Sequence, residues 1–184
     1  MIGCPIIVIG PPRSGTTMVA RVLQEWFGVL MDGKPMKPDP VVNPYGWFED
    51  SRLAESSNLF LQGLISCQAW DRRFRRFIHS MERKQKPWGF KDPRMVPFFS
   101  HVLSFFPSRT VIRCHRRKSL VIASYVEKLG WTEAVASDRY DRDEKMLDDH
   151  LNGIVHMRID FKDNATEEEL IELFRSNMVL RDAA

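Results

Sequence analysis

The order of apolar and polar positions along the chain predicts strands that alternate with helices. A continuous apolar run over residues 5–9 is rich in β-branched side chains, which is typical of a strand buried on both faces. Apolar residues then recur at helical spacing over residues 17–27, and Gly28 can end that helix. The predicted buried face of the helix consists of Val19, Val22, Leu23 and Trp26. The chain therefore opens with a strand, a glycine loop and a helix.

The same patterns predict the remaining elements. Further strands are expected over residues 87–91, 109–115 and 153–161. Helices are expected from Asp50 or Ser51 to about residue 65, within 70–84, over 95–106, 118–129 and 132–151, and from Thr166 onward. Four prolines between residues 33 and 45 exclude regular structure there. This alternation predicts an α/β fold: one domain over residues 1–184, with three layers, a mostly parallel central sheet and helices on both faces.

Composition and length indicate a single domain with a sizeable core. The 184 residues are 43% hydrophobic and 28% charged, which argues against disorder. The three cysteines show neither a disulfide framework nor metal-ligand spacing (Cys4, Cys67, Cys114). Four histidines also lack metal-ligand spacing (His79, His101, His150, His156). No signal peptide is evident, and no apolar run approaches the length of a transmembrane helix. We therefore expect a cytoplasmic protein with free thiols, no metal and no membrane partner.

Charge is distributed unevenly along the chain. The net charge of +3 is too small to indicate a nucleic-acid partner, but seven basic and two acidic residues lie between positions 71 and 86. In that segment four arginines alternate with Phe74 and Phe77, and two interpretations stand. The favoured one is an exposed basic helix face whose phenylalanines lie in the core. The alternative is a surface that binds nucleic acid or an acidic acceptor.

A phosphate-binding loop is predicted directly after the first strand. Gly10 and Gly15 have the spacing that lets several backbone N–H groups converge on one anion, and the start of the following helix adds its positive dipole end. Thr16 and Thr17 supply hydroxyl groups, and Arg13 supplies a cation at the rim.

Two features of a nucleotide-cleaving loop are missing. Thr16 stands where such a loop has the lysine that reaches the outer phosphates. The strand over residues 109–115 leads into Arg116 rather than into an acid that could hold magnesium. The loop is therefore suited to a single terminal phosphate without a metal. A P-loop nucleoside or small-molecule kinase is retained as an alternative.

The sequence Pro12-Arg13-Ser14-Gly15-Thr16-Thr17 resembles the phosphate loop of the sulfotransferases that use 3′-phosphoadenosine 5′-phosphosulfate (PAPS), especially the bacterial and protein-tyrosine branch. The resemblance implies transfer of a sulfuryl group from PAPS to an acceptor hydroxyl or amine, without a metal. It also implies that the loop holds the donor's 5′-phosphate, so that no lysine is needed for a γ-phosphate.

The family also has a site for the donor's 3′-phosphate, formed by an arginine at a strand end and a serine eight positions later. The segment from residue 111 to 125 resembles that motif, and on its register the pair is Arg116 and Ser124. Arg113 is a rival for the arginine, but strand alternation and the spacing to Ser124 favour Arg116.

Two further segments carry candidate catalytic residues. The sequence ending Phe90-Lys91-Asp92-Pro93 resembles the Lys-Asp-Pro segment of the same branch, which implies that Lys91 stabilises the leaving phosphate. The segment from Asn43 to Asp50 resembles a bacterial motif that carries a glutamate, and Glu49, flanked by aromatic residues, is the candidate general base in a partly apolar setting. Alternatively, Glu49 and Asp50 are an ordinary helix N-terminal pair and Asp92 is a turn residue.

The predicted partner is an acceptor: a small molecule, a carbohydrate or a peptide. Nucleic acid is the less favoured partner, although a non-catalytic nucleotide- or nucleic-acid-binding module is a further alternative. A homo-oligomer is compatible with the sequence.

Overall fold

The structure is a computed structural model that describes residues 4–40, 43, 46–162 and 165–177. Its strands are β1 (Ile6–Ile9), β2 (Gly89–Lys91), β3 (Thr110–Arg116) and β4 (Met157–Phe161). Its helices are α1 (Thr16–Phe27), α2 (Ser51–Leu61), α3 (Cys67–Glu82), α4 (Phe99–Leu103), α5 (Lys118–Leu129), α6 (Glu133–Leu151) and α7 (Glu167–Ser176). A 3₁₀ helix over Pro93–Phe98 leads into α4. None of the described helices is long and apolar enough to cross a bilayer.

The four strands form one parallel sheet in the order β2-β1-β3-β4. β1 therefore lies inside the sheet, with Ile7 opposite Phe90 of β2 on one side and Val111 of β3 on the other. The carboxyl ends of β1, β2 and β3 meet at one edge, where ligands bind in sheets of this kind.

Helices cover both faces of the sheet, so the predicted three-layer α/β fold is confirmed. Alternate residues of β1 point to opposite faces: Ile7 and Ile9 pack with side chains of α3, α4 and α6, whereas Ile6 and Val8 pack with side chains of α1 and α7. Both apolar cores are needed to bury a strand that carries no polar residue.

The buried face of α1 differs from the predicted one. Val19, Val22 and Leu23 are fully buried as expected, but Trp26 is 57% exposed, so its assignment to that face is wrong. Phe27 takes its place at the end of the helix, with its ring edge-on to Phe174 of α7 at 5.8 Å. Phe27 lies four residues after Leu23 and packs on the buried side, whereas Trp26, three residues after Leu23, is exposed, so helical spacing alone does not separate the two.

The predicted helix over residues 95–106 is divided. Pro97 has no N–H to donate into a regular α-helix, and the segment up to Phe98 forms a 3₁₀ helix instead. Asp92 caps this helix by accepting from the N–H of Arg94 at 3.1 Å. The turn-residue interpretation of Asp92 is therefore correct.

The basic segment forms part of α3. Phe74 and Phe77 are buried, while Arg72, Arg73, Arg75 and Arg76 are exposed, as the favoured interpretation predicts. The guanidinium of Arg75 lies 4.8 Å from the ring centroid of Phe105.

Candidate active site

The glycine loop after β1 lies between the ends of two neighbouring strands. On one side, Lys91 at the end of β2 is in register with Val8. On the other side, β3 ends at Arg116, the residue that the sequence pairs with Ser124. The sheet order therefore brings the three predicted parts of the site to one edge.

Close packing fixes the backbone of the loop. A Cβ atom on Gly10 would lie 2.5 Å from the carbonyl oxygen of Cys114, and one on Gly15 would lie 2.5–2.7 Å from ring carbons of Phe161. Gly15 also has a φ of +96°, a conformation that glycine adopts at little cost. Neither glycine position has room for a side chain without movement of its neighbours.

The loop leaves polar groups available at the start of α1. Gly15 is the N-cap residue, so α1 has no side-chain cap and its first N–H groups face the loop. The hydroxyl of Ser14 is buried and makes no hydrogen bond within the described part of the chain. Thr16 is buried and Thr17 is half-buried beside it. A small anion would satisfy these groups together.

Lys91 supplies the amine that the loop itself lacks. Its ammonium donates to the hydroxyl of Thr17 at 3.1 Å and to Oε1 of Glu49 at 2.5 Å. The side chain is 2% exposed, and this burial lowers the pKa of Lys91, with the charge of Glu49 opposing the shift. A cation thus reaches the start of α1 from β2 rather than from position 16.

Glu49 lies in an ionic setting rather than in the apolar one that its aromatic neighbours predict. It is 3% exposed, and Arg94 donates to its second oxygen, Oε2. Asp50, the next residue, accepts from the N–H of Arg52 at 3.0 Å and caps α2. Only Asp50 of the acidic pair therefore serves the helix N-terminus. Residues 44 and 45 of the motif over residues 43–50 lie outside the described residues.

Arg94 is a site residue to which the sequence analysis gave no role. Burial lowers the pKa of Arg94, but the carboxylates of Asp92 and Glu49 more than offset this, so the net pKa is raised. Burial raises the pKa of Asp92. The sequence signal for Arg94 was its position three residues after Lys91 in Lys-Asp-Pro-Arg. A residue so soon after the strand end lies at the same edge of the sheet as Lys91.

A second cationic group lies on the other side of the loop. Nε of Arg13 donates to the hydroxyl of Ser124 at 2.8 Å, and Nη1 of Arg116 donates to the carbonyl oxygen of Arg13 at 3.4 Å. Burial and the nearby charge of Arg116 lower the pKa of Arg13. The Arg13 guanidinium therefore lies beside Ser124 with the charge of Arg116 acting on it, an arrangement that a bound anion would stabilise.

Arg113, the rival of Arg116, has a structural contact instead. It is buried, and its guanidinium donates to Glu144 at 2.6 Å and to Asp148 at 2.7 Å, both on α6. These carboxylates compensate its charge. The geometry thus favours Arg116 for an anion beside the loop.

Comparison with known proteins adds independent information. Residues 5–182 match the model of the sulfotransferase family. No curated protein sequence matches the chain.

Solved structures share the fold at low sequence identity. Sulfotransferase STF1 from Mycobacterium tuberculosis H37Rv is 15% identical, with a TM-score of 0.62 over 100% of this chain and 67% of that one. The sulfotransferase domain of the Synechococcus PCC 7002 olefin synthase is 14% identical, with a TM-score of 0.57 over 97% of this chain and 74% of that one. Because the family model covers nearly all of the sequence and the folds agree, this chain belongs to the sulfotransferase family.

Proposed function

We propose that this protein transfers a sulfuryl group from PAPS to an acceptor hydroxyl or amine without a metal. The observation that carries the proposal is the bond from Lys91 to Thr17. Through this hydrogen bond the phosphate loop gains a cation from the neighbouring strand. Thr16 occupies the position where the loop of a nucleotide-cleaving enzyme has its lysine. Such a loop suits a phosphate that bears one group to be transferred.

The two anion-binding regions fit the two phosphates of the donor. The 5′-phosphate would accept from the first N–H groups of α1 and from the hydroxyls of Ser14, Thr16 and Thr17, with Gly15 allowing close approach. The 3′-phosphate would lie beside Arg116 and Ser124, and Arg13 would lie between the two phosphates.

The catalytic roles follow from the same contacts. When bound, the donor supplies an activated sulfuryl group whose S–O bond to the 5′-phosphate breaks as the acceptor oxygen or nitrogen attacks sulfur in line. Lys91 and Arg13 stabilise the charge that develops on the leaving phosphate. Glu49 takes the acceptor proton, since a carboxylate has about four lone-pair sites and the two cations use only two of them.

The acceptor is proposed by class. A small molecule, a carbohydrate or a peptide would each supply the required hydroxyl or amine. The acceptor must reach Glu49, so it would approach beside the contacts that join Glu49 to Lys91 and Lys91 to Thr17.

Donor binding is the first testable prediction. Calorimetric titration with 3′,5′-bisphosphoadenosine (PAP), the product of the donor, should give tight binding that magnesium does not change. Arg116→Ala should weaken it by about 10–100-fold, because a hydrogen bond to a charged group contributes about 1.5–3 kcal/mol. Arg72→Ala, which removes an equal charge from the exposed face of α3, should bind like the unchanged protein.

Three results would contradict the donor assignment. Magnesium-dependent binding of ADP, with PAP no tighter, would favour a kinase. Equal losses in Arg116→Ala and Arg72→Ala would indicate binding by overall charge alone, as would steep salt-dependent binding of RNA or DNA without PAP binding.

The pH dependence of turnover tests the state of Lys91. The charged ammonium is the active form, so turnover should fall as the pH rises through the pKa of Lys91, which burial places below the ordinary value of 10.5. Titration of Lys91 does not itself destabilise the fold. The unfolded chain keeps the proton to higher pH than the folded one, so titration of Lys91 raises the free energy of unfolding across that interval.

A matched variant checks the same assignment. Lys91→Arg keeps its charge to higher pH, so its alkaline decline should move upward even if its maximum rate is lower. A wild-type profile that stays level beyond pH 10.5, or an unchanged decline in Lys91→Arg, would exclude Lys91 as the titrating group.

A further inference from the structure

Three side chains that are metal ligands in other proteins meet on the surface, away from the phosphate loop. Cys67 and Asp71 lie four residues apart at the start of α3, so they share one face of that helix. His101 on α4 lies opposite them. The thiol sulfur, a carboxylate oxygen and a ring nitrogen all lie within 4.8 Å of one another.

The contacts converge on a single nitrogen of the imidazole. Nε2 of His101 lies 3.6 Å from Sγ of Cys67 and 2.8 Å from Oδ1 of Asp71. In a Cys-His-Asp catalytic triad the two ring nitrogens face different partners, one the nucleophile and the other the carboxylate. Here both partners face the same nitrogen, so the arrangement does not suit a thiol nucleophile. It does suit three ligands around one point.

The distances are close to those of a tetrahedral zinc site. Zn–S and Zn–N bonds of about 2.3 and 2.0 Å at a tetrahedral angle separate sulfur and nitrogen by about 3.5 Å. The Sγ–Nε2 distance of 3.6 Å already agrees with this. The nitrogen–oxygen separation would need to open from 2.8 Å to about 3.3 Å. A side-chain rotation in half-buried Asp71 supplies a change of this size.

Packing holds the imidazole in place for this role. The ring of His101 lies 5.7 Å from the ring of Trp70, which is fully buried, and edge-on to Phe105 at 5.5 Å. Its side chain is 35% exposed, so a metal ion can reach it from solvent. A ligand ring fixed by aromatic neighbours loses little freedom when it binds.

We propose that Cys67, Asp71 and His101 form a zinc site that joins α3 to α4. Thiolate and imidazole ligands favour Zn²⁺ over Mg²⁺ and Ca²⁺, and water would complete the tetrahedron. The site does not depend on the proposed sulfuryl transfer. Its structural effect would be to tie α3 to the segment that begins at Asp92, directly after Lys91.

Cobalt is the probe that tests this proposal, because Co²⁺ bound by a thiolate gives an intense near-ultraviolet charge-transfer band. Titration of the reduced full chain should give this band at one cobalt per chain, and Zn²⁺ should displace it. Cys67→Ser should abolish the band. Cys4→Ser, which removes the other exposed cysteine, should keep it.

The remaining ligands have their own variants and control. Asp71→Asn and His101→Asn should each weaken cobalt binding by more than about 10-fold. Loss of a group that only supports a ligand already weakens metal binding about 10-fold, so loss of a ligand itself should cost more. His79→Asn, on the exposed face of α3, should have no effect. Zinc at 100 times its dissociation constant should raise the Tm of the unchanged chain by about 5–10 °C, and of Cys67→Ser by much less.

Three results would overturn the proposal: no charge-transfer band in the unchanged chain, a band that survives Cys67→Ser, or cobalt affinity unaffected by His101→Asn. The last would mean that the imidazole is not a ligand and that the metal does not join α3 to α4. Circular dichroism of each variant distinguishes loss of a ligand from loss of the fold.

Discussion

Replacing Lys91 with methionine is expected to lower the turnover number by about 10²–10³-fold, the usual effect of removing one group that stabilises transition-state charge. PAP affinity should change far less, because in the proposed binding mode the first N–H groups of α1 and the loop hydroxyls would still contact the 5′-phosphate. The steady-state rate of sulfuryl release from PAPS, to a panel of acceptors or to water, measures the first effect. Calorimetry with PAP measures the second. Equal losses in turnover and affinity would contradict a role in the transition state.

The same change has a structural effect that must be separated from catalysis. Lys91 is buried against Glu49, so its loss leaves one oxygen of a buried carboxylate without a cation, at a cost of about 3 kcal/mol of unfolding free energy. The double variant Lys91→Met/Glu49→Gln removes both charges and should recover most of the stability, but none of the turnover. Recovery of activity together with stability would show that Lys91 is only structural.

Replacing Gly15 with alanine is expected to reduce the free energy of unfolding by about 2–5 kcal/mol and to abolish PAP binding. The added methyl group would lie 2.5–2.7 Å from the ring of Phe161, and overpacking of this kind costs about 1–3 kcal/mol. The left-handed backbone adds roughly 1–2 kcal/mol for a residue with a Cβ. Urea denaturation and calorimetry measure the two effects.

Gly28 provides the matched control for this prediction. It ends α1 with a φ of +67°, and a Cβ there would meet nothing within 4 Å. Gly28→Ala should therefore show only the backbone cost and should keep PAP binding. If Gly15→Ala and Gly28→Ala behaved alike, contact with Phe161 would not be what restricts position 15.

The local parts of this molecule could be predicted from the sequence because their signals are local. A continuous apolar run marked β1 as a buried strand, and Asp50 was one of two residues expected to cap the helix that follows it. Thr166 and Glu169 form the reciprocal capping contacts that their spacing suggests. Trp26 was misassigned because it lies three residues after Leu23 and Phe27 lies four residues after it. Helical spacing alone does not tell which of these two adjacent aromatic residues is buried.

The contacts of the site depend on long separations in the chain. Lys91 is 74 residues from Thr17 and 42 residues from Glu49, so no local pattern indicates that they share a hydrogen bond. The resemblance selected these residues, but the ionic setting of Glu49 depends on Arg94, which arrives from another segment. Cys67 and His101 illustrate the same limit, since 34 residues separate two side chains that lie 3.6 Å apart.

Contact between Gly15 and Phe161 has a consequence for how the protein is made. The residues proposed to bind phosphate are near the start of the chain, but the ring that packs against Gly15 belongs to β4. During synthesis the loop therefore leaves the ribosome long before its supporting strand, and it cannot take its final shape until β3 and β4 have paired. Nascent chains stalled before β4 should thus fail to bind PAP, so ligand capture reports completion of the sheet rather than emergence of the motif.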